Sequence, residues 1–357
     1  MKTKQYVVLV LVFAGCLHSP QAIEEPGEFS GSFIDLFEAY EIGCPYFVHK
    51  GIDWKEFGDL YYPQAVECTT GDQLIEVITD MLAELQDPVI AIRVFGDKSE
   101  LFEIIHPYTR EYESNYDMDV LVEHYLEPNG WAGWENGYAQ GFGWCDPADL
   151  PYFFLDTLPS LGHTEAAVNS LDTFVASCIK LDVPAIIIDV RMNPSAYKEN
   201  GFGSTGISLM GRFTDKSRPG AIYRSRNGLD YDMYADRRPA VYSAGSQQYT
   251  GTVIVLVGEK CIQYTENMLA NFINFPNVVL VGDTTGGSVS MVGDAVRITQ
   301  HCSCTVISKT ILTKDKFWIE GAGLPPDIYV EATEADFAAG VDPVLNYAIE
   351  MLDGYCR

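Results

Sequence analysis

Three short segments carry side chains on which chemistry could be built: DVRMNPSAY at 189–197, GEKCIQYTE at 258–266 and GDTTGGSVS at 282–290. Each mixes glycine and small residues with polar ones, as loops that form a site do. Cys261 is a candidate nucleophile, because Lys260 and the start of a following helix would depress a thiol pKa. The competing reading, a buried or disulfide-bonded cysteine, is the stronger expectation in an exported chain. Thr265 falls on the first turn of the same helix, where a hydroxyl caps rather than attacks. Ser288 and Ser290 could hydrogen-bond a ligand or satisfy local backbone. Asp189 and Arg191 are spaced to pair and brace their turn.

Other groups promise less. His106 and His163 are the histidines nearest the core segments, and neither has a positional reason to meet the others, so both read as structural. The acidic pairs Asp117/Asp119 and Asp230/Asp232 lack the twelve-residue calcium-loop pattern and read as solvated faces. No metal is expected, since the cysteine spacings are not CxxC and no histidine pair stands at ligand spacing. DTTGGSV has no lysine and is no phosphate loop, so no cofactor is expected.

Elements that would position the three segments are legible. AIIIDV (185–190), VIVLV (253–257) and VVLV (278–281) are continuous apolar runs, typical of strands buried on both faces. A helical pattern over 263–275 lies between the last two, so strand, helix and strand predict parallel pairing. Functional groups then collect past the carboxyl ends of the strands. Upstream, 24–87 reads as helical, with Thr70 and Gln73 at capping-box spacing. That helix should end near Asp87, before Pro88. Val89–Phe95 reads as a strand, and 96–150 as an aromatic, Gly-rich loop or hairpin layer. PYFFLDTL reads as another strand, 164–181 as a helix, and 196–250 as a long excursion, suited to a lid.

The 357 residues carry 23 Lys+Arg against 50 Asp+Glu, a net charge of -27. Such a surface repels phosphate backbones and anionic lipid headgroups, which excludes nucleic acid as an expected partner. Lys2, Lys4 and the apolar run Val7–Ala14 read as a secretion signal too short to span a bilayer. Small residues before Cys16 resemble a lipoprotein signal; ordinary cleavage near Cys16 or Ala22 is the alternative. Without Cys16 eight cysteines remain, an even count that suggests disulfides. Cys302 and Cys304 are read as facing opposite sides of a strand, and so as not pairing with each other.

The ordered segments resemble the tail-specific, or C-terminal-processing, serine protease family, which includes the tricorn core and the interphotoreceptor retinoid-binding proteins. MLAELQD resembles its lead-in helix, usually followed by Gly-His; AIIIDVRMNP its strand ending in Asp-x-Arg-x-Asn-x-Gly-Gly. VIVLVGEKCIQYTENML resembles the nucleophile strand and helix with Ser-Ala-x-Glu, and VVLVGDTTGGS the next strand and turn. EGAGLPPDIYVEAT with DFAAGVDPVLNYAIEML resembles the C-terminal signature. The resemblance implies an α/β, ClpP/crotonase-like core with parallel βαβ units at 151–353. A signal peptide at 1–22, an N-terminal helical segment and first strand at 23–95 and a connecting layer at 96–150 would precede it. No peptide-binding PDZ module is apparent.

Carried over residue by residue, Glu266 matches the Glu of Ser-Ala-x-Glu, but the serine position is Gln263, which has no activatable oxygen. The histidine position is Val89, which cannot relay a proton. The alternative lysine position is Ser288, and the oxyanion-turn glycines become Ser195 and Ala196. Glu320 alone keeps the type of an acidic site residue. The resemblance thus implies an exported protein, secreted or lipid-anchored, that does not cleave by the family mechanism. It would hold a peptide, a protein C-terminal tail or a small apolar ligand, with membrane contact only through a lipid anchor. A hydrolase with a relocated nucleophile or base is the alternative.

Overall fold

The computed structural model describes residues 27–96, 100–131, 142–155, 164–192 and 209–355. The leader with Cys16, His163, Ser195, Ala196 and Cys356 lie outside the described residues. The three apolar runs become strands Ala185–Asp189, Thr252–Val257 and Val278–Gly282 in a six-stranded sheet. They pair in parallel, with Leu256 opposite Asp189 and Val257 opposite Gly282. That register aligns their carboxyl ends, so the turns that follow open beside one another. Ile328–Tyr329 and Tyr152–Leu155 extend the parallel pairing, and Phe142–Trp144 adds one antiparallel strand at the edge.

Both faces of this sheet are covered, which is why its strands read as unbroken apolar runs. Thr164–Lys180 and Tyr264–Phe272 contribute to the core cluster containing Ile186, Ile188, Val253 and Val255. On the other face, Ile187, Ile254 and Leu256 pack with Val344, Leu345 and Ala348 of helix Pro343–Tyr355.

A second, antiparallel sheet stands before the N-terminal helices. Ile92–Phe95 lies between Leu101–Ile105 and the long strand Cys302–Leu312, which also pairs with Met291–Thr299 and Ile222–Arg226. Tyr234–Arg237 completes it as the hairpin partner of Ile222–Arg226. The described part of 196–250 therefore builds sheet, not a lid, because Ile222–Arg226 finds its partner about ninety residues downstream in pairs such as Arg224 with Thr310. Helices Glu28–Gly43, Trp54–Glu67 and Gly71–Ala83 pack a third core over this sheet around Trp54, Leu36, Ile78 and Ile307. The Thr70–Gln73 capping box forms as the spacing predicts.

The cysteine reading is corrected on two counts. All seven described cysteines are free thiols, and most are kept apart in separate cores: Cys178 and Cys261 in one, Cys145 in another, Cys44, Cys302 and Cys304 in the third. Bridging needs Cα atoms within about 7 Å, which separate cores do not provide. Cys302 and Cys304 also do not face opposite sides. Residues two apart on a strand share a face, and both are buried in the helical core.

Candidate active site

Gln263 caps helix Tyr264–Phe272 at φ 50° and ψ -111°, a conformation that L-residues rarely adopt. Such strain costs on the order of 1–3 kcal/mol and persists only where surroundings enforce it. The enforcing contact is local: the Gln263 amide N–H donates to the Ser288 carbonyl at 2.7 Å. That bond joins the turn after the second parallel strand to the turn after the third. Gln263 also borders a cleft of about 270 Å³ together with Val89, Arg93, His106 and Arg110.

Two buried carboxylates hold the 285–290 turn. Glu266 accepts from the Gly287 and Ser288 amides, each at 2.7 Å, and from the Thr285 hydroxyl. Glu320 accepts from the Val289 and Ser290 amides at 3.1 Å and from Ser290 Oγ at 2.9 Å. Four consecutive backbone N–H groups are thus committed to two carboxylates. Gly287 adopts φ +72°, and an added Cβ there would stand 2.7 Å from the Gly323 nitrogen, so glycine is required. Lys50 Nζ reaches Glu320 at 3.0 Å from the N-terminal helices, and also donates to the Leu85 carbonyl. His49 beside it stacks on Trp318 with ring centroids 4.3 Å apart.

Burial pushes the Glu266 carboxyl up from its ordinary 4.5 to about 7, against the opposing pull of its donors. Burial and then the nearby Asp87 push Glu320 to about 7, against Lys50. Between about pH 4.5 and about 7 the folded state retains protons that the unfolded chain has released, so stability falls as pH rises through that window. The loss is on the order of 3 kcal/mol per carboxyl. Urea unfolding at about pH 5 and about pH 8 should show this slope, and Glu266→Gln should remove roughly half of it. An unchanged slope in that variant contradicts the assignment.

The remaining candidates separate clearly. Cys261 is fully buried, its Sγ donates to the Val190 carbonyl at 3.1 Å, and burial pushes its thiol well up. It lacks the depressed pKa of a reactive thiol because burial disfavours the thiolate, and Lys260 lies over the Tyr116 ring. Thr265 is buried in the first helical turn. Arg191 is buried between Asp189 and Asp342. Ser288 Oγ is buried and the Tyr112 hydroxyl lies near it, yet neither reaches hydrogen-bonding geometry with a partner among the described residues. Val89 is buried, its amide donating to Asp87 Oδ1 at 2.9 Å.

His106 is hydrogen-bonded as a structural histidine would be, and it also lines the same cleft as Gln263 and Val89, which no local pattern indicates. Its Nδ1 lies 3.0 Å from the Ile90 carbonyl, so that nitrogen donates, and in the neutral ring Nε2 is the acceptor. The pairing of Leu101–Ile105 with Ile92–Phe95 delivers it. Lys50, separated from Glu320 by 270 residues, was also missed, and no local signal could have found it. Among the described residues no group of three or more His, Cys, Asp or Glu could hold a metal ion.

Residues 157–330 match the model of Peptidase family S41. Over 171 residues the chain is 25% identical to the carboxy-terminal processing protease CtpA of Bacillus subtilis (strain 168), which covers 47% of this chain and 33% of that protein. The match thus spans about a third of the length of this curated relative. Among solved structures, a peptidase candidate from Parabacteroides merdae ATCC 43184 superimposes with a TM-score of 0.72 at 20% identity, over 90% of this chain and 95% of that one. Mature CPAF complexed with lactacystin gives 0.61 at 9% identity, over 92% and 98%. The photosystem II D1 C-terminal processing protease gives 0.52 at 12% identity, over 85% and 92%. At these identities the structural likeness speaks for the fold alone.

Proposed function

We propose, from the premise that residues 157–330 belong to Peptidase family S41, that this protein is an exported member that binds peptides and does not cleave them. The observation that carries the reading is Gln263. It stands at the strained head of a helix between two parallel strands, at the position that the family resemblance assigns to the nucleophile. A carboxamide there can donate and accept hydrogen bonds but cannot form an acyl-enzyme. Val89, at the histidine position, lines the same cleft and offers no base. The family supports a peptide or protein tail as ligand, and the apolar Val89, Ile262 and Val292 in the cleft wall also suit a small apolar ligand. Export rests on the sequence of the 1–22 leader, with Cys16 as the lipid-anchor alternative.

The test is incubation of repurified protein with a library of unstructured peptides, followed by mass spectrometry. Bound but intact peptides are expected. Sustained turnover that survives repurification would overturn the reading.

A second reading has one specific observation behind it. His106 brings an acceptor nitrogen to the cleft, which favours a hydrolase with a relocated base. It predicts a measurable peptidase rate that His106→Ala lowers, and that Ser288→Ala, Cys261→Ala or Thr265→Ala lowers if one of these supplies the nucleophile. With no activity to lower, this second reading fails.

A further inference from the structure

The chain has a net charge of -27, yet among the described residues no carboxylate lines the cleft beside Gln263. Its charged or titratable lining is Arg93, His106 and Arg110, joined by the polar groups of Thr109, Thr305 and Gln263. These come from separate places in the chain: Arg93 from strand Ile92–Phe95, His106 and Arg110 from the segment after strand Leu101–Ile105. Arg110 is held in place, its Nη1 donating to the Gly286 carbonyl at 3.0 Å and its Nη2 standing 3.7 Å from Glu259. Cations lining a cleft focus potential on a negatively charged group there, against the long-range repulsion of the chain's net charge.

The cleft is also not an end wall. It shares Pro88, Tyr108 and Arg110 with a larger cavity of about 370 Å³ that runs to Lys50 and Tyr112. It shares Gln263 and Val292 with a recess of about 60 Å³ on its other side. The basic section is therefore the middle of a row of cavities. A chain lying along that row presents an internal side chain, not its terminus, to Arg93, His106 and Arg110.

We infer that the groove selects peptides by an internal acidic side chain, an aspartate or glutamate carboxylate seated between Arg93 and Arg110 beside Gln263. This rests on the peptide-binding reading above and names the ligand chemistry. A carboxylate there accepts charge-assisted hydrogen bonds from guanidinium groups, while apolar Val89, Ile262 and Val292 cover its stem.

The test is fluorescence anisotropy with labelled, C-terminally amidated Gly/Ala/Ser peptides carrying one central glutamate, against the same peptide with glutamine. The glutamate peptide should bind about tenfold more tightly, as charged hydrogen bonds outweigh neutral ones, and added salt should erode the difference. Arg93→Gln and Arg110→Gln should each weaken the glutamate peptide by roughly fivefold and the glutamine peptide by less, so that the preference narrows. Because Arg110 also ties down Gly286, Arg93→Gln with an unchanged melting profile is the decisive variant. Equal affinity for both peptides overturns the inference. So does a preference that follows a free C-terminal carboxylate on the glutamine peptide instead of the side chain. Saturable binding by neither peptide overturns both this inference and the peptide-binding reading. Cleavage of a preferentially bound glutamate peptide upholds the inference and overturns only the non-cleaving reading.

Discussion

Arg191→Met is expected to cost about 3–5 kcal/mol of folding stability, a large part of the 5–15 kcal/mol of a typical domain. Arg191 is fully buried and clamped by two carboxylates. Its Nη2 lies 2.7 Å from Asp189 and 2.8 Å from Asp342, while Nε and Nη1 complete both pairs at 3.0 Å. Nη1 also donates to the Asn115 carbonyl. The Tyr152 hydroxyl and the Leu345 amide occupy remaining carboxylate sites. The clamp ties the end of one parallel strand to the start of helix Pro343–Tyr355, so it fixes the frame in which the three turns open. Methionine fills similar volume but leaves two buried, uncompensated carboxylates, and that penalty dominates. Thermal and urea unfolding by circular dichroism read the effect. A loss below about 1 kcal/mol would show that water reaches the pair and that the clamp is not structural.

The second large effect concerns chemistry. Gln263→Ser combined with Val89→His is expected to gain reactivity toward a fluorophosphonate probe about 10²–10⁴-fold over Gln263→Ser alone, the usual worth of a positioned base. Gln263 and Val89 line one cleft, so a hydroxyl and an imidazole at these positions share it. Gln263→Ser alone supplies a hydroxyl with no base opposite. The buried turn held by Glu266 and Glu320 is untouched by either change. If the folded double variant labels no faster than the single one, the assignment of these two positions is wrong. Glu266→Gln provides an independent check on the turn, through its pH slope and not through reactivity.

The parallel sheet was legible because its strands are buried on both faces. AIIIDV, VIVLV and VVLV announce themselves without reference to partners, and the strands fall within a residue of those runs. The helix start at Thr70 was legible for a similar reason, since a capping box is a bond between near neighbours. The second sheet was not. Met291–Thr299 is half exposed and pairs with Cys302–Leu312 through shifts in register, and Ile92 meets Cys304 across more than two hundred residues. No short-range pattern encodes that partnership. The positions of Gln263 and Val89 came from the family resemblance, but their meeting in one cleft is a tertiary fact. His106 reaches that cleft only because its strand pairs back on Ile92–Phe95. Lys50 meets Glu320 only because the N-terminal helices cover the second sheet. Cys261 follows the stronger of its two sequence readings, a buried cysteine. A cation next to it in sequence suggested activation, whereas its burial and its bond to the Val190 carbonyl make it inert.

The most direct measurement is intact-protein mass spectrometry of the unmodified protein after prolonged exposure to a fluorophosphonate. With an amide at the head of helix Tyr264–Phe272 and an isopropyl group across the cleft, the mass should not change. A stoichiometric adduct, mapped by digestion to any side chain lining that cleft, would contradict the account at its root.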